Sequence, residues 1–212
     1  MNDRRSGKSF VDERFGDHET ARQFIVANAD ENPAFRELMG QLAGEPDAVA
    51  RLVKSVLTDT DRLNALHDTG LMDGAPRMAL DQFAALTAEA LGIPFAALSL
   101  VDQHRQVLIG CNCGTDSFER SRPLELSICK YTVASGQPLV IDDTTAHPLL
   151  VDHPMVVNGS IRAYAGVPLR DGSGNAVGTL CAWDDHPRRW TGGQVQILED
   201  LASAARAKVF DE

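Results

Sequence analysis

The sequence predicts an α+β fold with one antiparallel sheet flanked by helices and a helical extension before it. Three features predict this class. Short apolar runs of strand length alternate with amphipathic helical patterns, two late runs are joined by a glycine-rich hairpin turn, and a long amphipathic helix follows them. The chain has 212 residues, 43% of them hydrophobic, which is enough for one packed domain and an extension.

The N-terminal third is predicted to be helical after a polar start. Residues 1–18 are polar and charged, and we predict that they are flexible. Residues 19–61 are predicted to form a helical N-terminal extension, because their apolar positions recur at helical spacing. Its first two helices are expected over 20–28 and 32–42. A third is expected to carry an apolar stripe of Val49, Leu52, Val53, Val56 and Leu57, and a fourth to begin after a cap at Thr58 or Asp59. Either the main domain or a second copy of the chain can cover the apolar stripes.

The main domain is predicted to span residues 62–209. Its first helix follows a loop and is ended by Gly92 and Pro94. Its inward side is predicted to hold Leu80, Phe83, Ala84, Thr87, Ala90 and Leu91. In chain order the predicted elements are a helix at 78–91, strands at 95–101 and 105–110, a helix from 127, a strand at 139–141, a connection at 144–160, strands at 162–169 and 176–183, and a helix at 191–209.

The stretch 126–143, LSICKYTVASGQPLVIDD, forms the centre of this prediction. Ser127 is a favourable helix N-cap, and Gly136 followed by Pro138 is a common way to end a helix. Cys129 and Lys130 then lie in the first helical turn, where free N–H groups and the helix dipole favour an anion or a thiolate. The sequence therefore predicts a small polar corner beside a buried strand, which is suited to holding a ligand.

Charge and hydropathy exclude several classes of protein. The formal net charge of −10 makes the chain a poor binder of the nucleic-acid backbone. An apolar run of roughly 18 residues, the length that a membrane span needs, does not occur. The N-terminus has no apolar segment of the kind found in secretory signals, so we predict a cytoplasmic protein with its four cysteines reduced.

Five segments resemble the GAF family of small-molecule and signal-sensing domains, in the family's order. They cover residues 62–206 and read RLNALHDTGLMDG, ALSLVDQHRQVL, SICKYTVASGQPLVIDD, IRAYAGVPLRDGSGNAVGTLCAWD and WTGGQVQILEDLA. The resemblance implies a six-stranded antiparallel sheet, a pocket roofed by the connection at 144–160, and dimers formed through terminal helices. Family members usually regulate an output domain such as a histidine kinase, phosphatase or cyclase. We find no segment that resembles one, so we expect a stand-alone sensor with a signalling protein as partner.

The branches of this family suggest different ligands and cofactors. Enzymes that reduce free methionine sulfoxide carry a cysteine at a position resembling Cys129, but the further cysteine expected in the connection is absent. The cyclic-nucleotide signature N-K-x(n)-F-x(3)-D-E is not found. Tetrapyrrole-binding members have histidine after the attachment cysteine, whereas this chain has Lys130. Haem ligation by His147 or His153 stays open, so the cofactor is left unspecified.

The cysteines are candidates for redox chemistry, each against a simpler alternative. Cys111 and Cys113 form a C-x-C pair that lacks the second pair a structural zinc needs, so no metal site is predicted. Cys111, Cys113 and Cys129 are candidates for redox chemistry. The simpler alternatives are that Cys111 and Cys113 are close in sequence by chance and that Cys129 packs under the sheet. Cys181, which lies within an apolar strand, is predicted to be buried filler.

A partly polar ligand pocket is predicted from residues that the expected fold brings together. Its members are Cys129, Asp142, Asp143, His153, Arg162 and Tyr164. Helix capping by the aspartates and a surface salt bridge of Arg162 are the alternatives. The sequence thus predicts a non-catalytic sensor of a small molecule or of redox state that signals through a dimer or a partner. A thiol enzyme of the methionine sulfoxide type and a scaffold with a collapsed pocket are the alternative hypotheses.

Overall fold

The computed structural model describes residues 46–73, 78–114 and 119–210. The predicted flexible start and the helices predicted at 20–28 and 32–42 lie outside these ranges. The helices are α1 Pro46–Leu57, α2 Thr60–Asp68, α3 Met78–Leu91, α4 Cys129–Ser135, α5 Pro154–Val157 and α6 Gly192–Phe210, with 3₁₀ turns at Leu124–Leu126 and Thr144–Ala146. The strands are β1 Phe95–Val101, β2 Arg105–Cys111, β3 Ser121–Pro123, β4 Leu139–Ile141, β5 Ala163–Arg170 and β6 Ala176–Asp184. Within these ranges, no helix has both the length and the apolar character needed to cross a membrane.

The strands form one six-stranded sheet in the order β3-β2-β1-β6-β5-β4, and every neighbouring pair is antiparallel. The predicted α+β class, with flanking helices and a helical N-terminal part, is therefore confirmed. Periodicity alone predicted five of the strands, and only the family resemblance implied a sixth. The additional strand is β3, which has three residues and pairs with the start of β2. Its last residue is Pro123, which has no N–H to donate and suits this edge position.

Most helix ends follow the capping residues that the sequence displays. The side chain of Asp59 accepts the N–H of Arg62 at 2.9 Å and caps α2. Gly136 ends α4 in the left-handed conformation, with φ of 64°. Thr191 and Gln194 cap α6 reciprocally, because the Thr191 hydroxyl accepts the N–H of Gln194 while the Gln194 side chain accepts the N–H of Thr191.

Two details of the predicted helices are wrong. Helix α4 begins at Cys129 and not at Ser127, although the Ser127 hydroxyl still accepts the N–H of Lys130 at 3.2 Å. Ala90 was predicted to face inward, but it is exposed, and Ala88 is buried in its place. The cause of the second error is that small alanines on both sides of α3 give no hydropathy contrast at this point.

Each face of the sheet carries its own hydrophobic core. On one face, α2, α3 and α6 cover residues such as Leu98, Leu100 and Leu180. On the other face, α1, α4 and the connection cover residues such as Ala97 and Cys181. The connection therefore shares this second face with two helices, and the apolar stripe of α1 is covered by the domain itself.

Glycine allows close packing on each face. A Cβ added at Gly110 would collide with the backbone of Leu80, so glycine lets α3 lie directly against β2. A Cβ added at Gly166 would collide with the phenol of Tyr164, which folds over this point of its own strand. The Tyr164 side chain thereby fills the space between the sheet and α4.

A buried arginine ties the N-terminal helices to the sheet. The Arg62 side chain has no exposed surface. It donates to the carbonyls of Val56 and Leu57 at the end of α1, at 3.2 and 2.7 Å, and to those of Val101 and Ala176, at 2.8 and 3.5 Å. The end of a helix carries unpaired carbonyls and partial negative charge, so a guanidinium is well placed there. Arg62 thus fixes the end of α1 relative to β1 and β6.

Arg62→Met should lower the free energy of unfolding by at least about 3 kcal/mol, because it leaves buried carbonyls without a donor. Arg51→Met is the matched control, since Arg51 is an exposed arginine on α1. That control should stay within about 0.5 kcal/mol of the wild type. Urea unfolding of the two variants measures the difference, and equal stabilities would contradict the structural role given to Arg62.

Candidate functional site

A cleft of about 680 Å³ lies between α1, α4 and the connection that follows β4. Helix α1 contributes Val49, Val53 and Leu57, helix α4 contributes Lys130 and Tyr131, and the connection contributes Leu149 and His153. Its size matches that of small-molecule sites, and its lining combines apolar side chains with a similar number of polar and charged ones. This cleft is the candidate ligand site.

His153 is the most deeply buried polar side chain of the cleft, with 5% of its surface exposed. It caps α5, where its Nδ1 accepts the N–H of Met155 at 3.3 Å. Because Nδ1 accepts, we assign the proton of the neutral ring to Nε2. Nε2 has no hydrogen-bond partner of normal geometry. An unpaired buried donor costs roughly 1–3 kcal/mol, which a ligand acceptor would recover.

Burial is the main cause that lowers the pKa of His153 to about 4. The positive charge of Lys130 lowers this pKa further, and the backbone carbonyl of Ser127 offsets part of the shift. The ring is therefore neutral near pH 7. A neutral ring in this tautomer keeps its proton on Nε2, and His153 lines the cleft.

Lys130 supplies the positive charge of the cleft interior. Its ammonium donates to the carbonyl of Leu124 at 3.3 Å and lies 5.1 Å from the centre of the Tyr131 ring. Partial burial lowers its pKa, and the charge of Glu125 opposes that effect. Within the described part of the chain, Lys130 has no ion pair with a carboxylate.

A buried cluster of thiols and hydroxyls lies between α4 and the sheet. The Sγ atoms of Cys129 and Cys181 are 3.6 Å apart. Cys129 Sγ also accepts from the hydroxyl of Tyr164 at 3.3 Å and from Nε2 of Gln106 at 3.4 Å. The Tyr164 hydroxyl lies 3.3 Å from that of Thr132. Cys181 is buried, as predicted, and it also belongs to this polar cluster.

The two thiols differ in acidity. The hydrogen bond between Cys129 and Cys181 lowers the pKa of Cys129, burial opposes this shift, and hydrogen bonds with Ser99, Thr179 and Tyr164 lower it further. The same contact with Cys129 raises the pKa of Cys181, as does burial. Cys129 is therefore the thiol of the pair that ionises first.

Of the six residues predicted to bind a ligand, His153 lines the cleft. Cys129 and Tyr164 instead belong to the thiol cluster between α4 and the sheet. Asp142 accepts the N–H of Trp190 at 3.0 Å, and Asp143 caps the following 3₁₀ turn through Thr145. Hydrogen bonds from Thr145 lower the pKa of Asp143.

The backbone N–H of Arg162 donates to the carbonyl of Asp184 at 2.7 Å. Asp184 lies shortly before Arg188 and Trp190, whose N–H groups donate to Asp142. The structure thus separates the predicted set into a cleft residue, a buried pair and a group at the ends of β4 and β5. Ligand binding by these residues stays a prediction.

Sequence patterns did not identify the other cleft residues, above all the apolar wall of α1 and the side chain of Tyr131. The stripe of α1 was a usable signal, because it marks the side of the helix that faces the domain. Nothing in the local sequence indicated that this side also borders a cleft.

Cys111 and Cys113 are joined by a disulfide, with their Cα atoms 5.3 Å apart, so the prediction that all four cysteines are reduced is wrong for this pair. Cys111 ends β2, and the bond closes a turn of one intervening residue. A separate cluster, formed by the consecutive residues Asp184, Asp185 and His186, brings possible metal-ligand atoms within 4.8 Å of one another. His186 Nδ1 lies 2.7 Å from Asp185, and Arg188 lies 3.3 Å from Asp184, so these groups already have partners.

The model of the GAF domain family matches residues 76–208. The chain belongs to the GAF domain family. This is a sensory and regulatory family, and its matched range begins after α1 and α2. The cleft therefore lies between the matched GAF domain and a helix outside the match.

A cyclic di-GMP phosphodiesterase of Pseudomonas aeruginosa is 29% identical over 142 residues, which are 66% of this chain and 24% of that protein. The chain thus spans about a quarter of the length of this relative. Among solved structures, the GAF domain of an Acinetobacter phosphoenolpyruvate-protein phosphotransferase has a TM-score of 0.52 at 13% identity, over 72% of this chain and 94% of that one. At this identity the likeness shows the fold alone.

A free methionine-R-sulfoxide reductase from Neisseria meningitidis, in complex with its substrate, has a TM-score of 0.49 at 22% identity, over 87% of this chain and 93% of that one.

Stability should depend on pH through His153. Its pKa is about 4 in the folded state and about 6.5 in an unfolded chain, so the unfolded state binds more protons between these values. The contribution of His153 is fully present above pH 6.5 and is lost as the pH falls to about 4. His153→Asn keeps a helix-capping acceptor and removes the titration. Urea unfolding should show the wild type losing stability relative to this variant over that range, and parallel pH curves would refute the assignment.

Proposed function

We propose that this GAF domain is a non-catalytic sensor that binds a small molecule in the cleft between α1 and α4. The observation that carries the proposal is that α1 forms one wall of the cleft and is tied to the sheet by Arg62. A ligand that contacts both α1 and α4 favours one position of α1 over others. The position of α1 is then the output signal.

The cysteine positions argue against the alternative of a thiol enzyme. Of the described cysteines, Cys129 and Cys181 are buried behind α4, and Cys111 and Cys113 are bonded to each other. None of these cysteines lines the cleft. Reduction of methionine sulfoxide, as in the Neisseria enzyme, would need a thiol that its substrate can reach.

The partners proposed for this sensor are a second copy of the chain and a signalling protein, in the cytoplasm. The helices α3 and α6 pack side by side and expose the apolar side chains of Leu86 and Ile197, at 53% and 40%. Exposed apolar side chains on neighbouring helices suit an association surface. Native mass spectrometry of protein purified from its own cells reports both bound ligand and oligomeric state, and a ligand-free monomer would contradict both proposals.

Filling the cleft should abolish ligand binding. Leu149→Trp adds a bulky ring at the cleft wall, and Val151→Trp is the matched control because Val151 lies outside the lining and is 45% exposed. A metabolite screen by thermal shift should yield compounds that stabilise the wild type and the control but not Leu149→Trp. At a hundred times the dissociation constant, the stabilisation is about 2.7 kcal/mol. Compounds that stabilise all three proteins equally would place binding elsewhere.

The thiol pair supports a second candidate input, which is redox sensing. A hydroperoxide would oxidise the Cys129 thiolate to a sulfenic acid and leave as an alcohol. The Cys181 thiol would then attack that sulfur, form the disulfide and release water. The separation of 3.6 Å between the sulfurs is the observation that favours this reaction.

In a Cys111→Ser, Cys113→Ser background, treatment with hydroperoxide should remove two hydrogens from the intact mass and block alkylation of both remaining thiols. Adding Cys181→Ala should leave Cys129 oxidised to the sulfenic acid, which a dimedone probe detects. If the background protein keeps two alkylatable thiols after treatment, the redox input is refuted and the ligand sensor is unaffected.

A further inference from the structure

Two hydrogen-bond donors in the cleft lack an anionic partner among the described residues. One is Nε2 of His153, which is buried and has no hydrogen-bond partner of normal geometry. The other is the ammonium of Lys130, which has three protons and a single carbonyl acceptor at 3.3 Å. The charge of Lys130 acts on the His153 ring, so the two groups share one electrostatic environment. Together they offer a neutral and a charged donor to the same cleft.

We propose that Lys130 and His153 form the head-group site for a small organic monocarboxylate whose apolar part packs against α1. The proposal rests on the ligand-sensing function proposed above and names the class of ligand. A carboxylate has two oxygens, and the two donors can satisfy one each. The charge of the lysine is then matched by a single negative charge.

The rest of the cleft favours an apolar tail. Val53 and Leu57 on α1 and Leu149 on the connection line it, and all three are buried or partly buried. Such a surface suits an aliphatic chain or a small ring. A ligand that spans the cleft would therefore contact α4 through its head group and α1 through its tail.

The charged residues at the edge of the cleft favour a ligand with one negative charge over a ligand with two. Glu125 and Asp152 also line the cleft, and both are exposed. These carboxylates repel a dianion more strongly than a monoanion. The exposed lysine of the lining, Lys54, lies on α1 and offsets part of this repulsion. A monocarboxylate therefore fits better than a phosphate monoester.

Isothermal titration calorimetry of the full chain with hexanoate tests this assignment. Hexanoate should bind the wild type, and hexanol and hexyl phosphate should bind at least about tenfold more weakly, because one lacks the charge and the other carries too much. Lys130→Met and His153→Asn should each weaken hexanoate by about tenfold or more. Arg51→Met is the matched control and should change the affinity by no more than about threefold, because Arg51 is an exposed cation on α1 that lies outside the cleft lining.

Equal binding of hexanol and hexanoate would overturn the proposal, and so would unchanged affinity in both head-group variants. Tighter binding of hexyl phosphate than of hexanoate would also overturn it, because the ligand class would then be a phosphate ester and not a carboxylate. If hexanoate does not bind while the thermal-shift screen still finds compounds blocked by Leu149→Trp, the carboxylate proposal fails and the sensor function stands.

The wild-type protein provides a test that does not depend on the folding of a variant. In ¹⁵N NMR of labelled histidine, addition of hexanoate should shift the Nε2 resonance of His153 and leave Nδ1, which accepts from Met155, nearly unchanged. A constant Nε2 resonance under saturating hexanoate would overturn the proposal.

Discussion

The guanidinium of Arg62 is the contact on which the N-terminal part of this molecule depends. A buried charge is tolerated only where polar partners surround it, and here the partners are carbonyls at the end of α1, at the last residue of β1 and at the first residue of β6. Helix ends supply such carbonyls because the last four have no intrahelical donor. A single side chain thus joins a helix outside the matched GAF range to the sheet inside it, and the cleft exists because α1 is held at that place.

The cleft lies outside α4 because side chains occupy the space between α4 and the sheet. Tyr164 folds over Gly166, and its hydroxyl reaches Cys129 and Thr132, so the region between the sheet and α4 is occupied by side chains. The remaining space lies on the outer side of α4, where α1 and the connection complete the walls. The buried cluster and the cleft share α4, because Cys129 and Lys130 are consecutive residues on it. Ligand and redox inputs would therefore act on one short helix.

Local sequence patterns predicted the elements well, because each was set by nearby residues. Helix α3 and strands β1 and β4 have the predicted bounds, since glycine, proline and apolar periodicity mark them directly. Strand β3 could not be found in this way, because three residues at a sheet edge carry no periodicity. Its existence depends on pairing with β2.

The site was less predictable, because its contacts join distant parts of the chain. Arg62 follows a visible cap residue, but two of its acceptors are 39 and 114 residues away. Asp142 and Asp143 were readable as capping residues, and Asp143 makes a local contact with the N–H of Thr145, whereas Asp142 accepts the N–H of Trp190, which is 48 residues away. His153 lines the cleft because α1 packs across from it, and its Nε2 has no partner of normal geometry. Residue spacing within the connection does not reveal this packing.

The most direct test of the account is hydrogen–deuterium exchange of the full chain with and without a compound that binds the wild type and Val151→Trp but not Leu149→Trp. Because α1 forms a wall of the cleft, ligand binding should slow exchange of the α1 amides and leave those of α3, on the opposite face, unchanged. Unchanged exchange in α1, or protection confined to α3, would contradict the claim that α1 reports the state of the cleft.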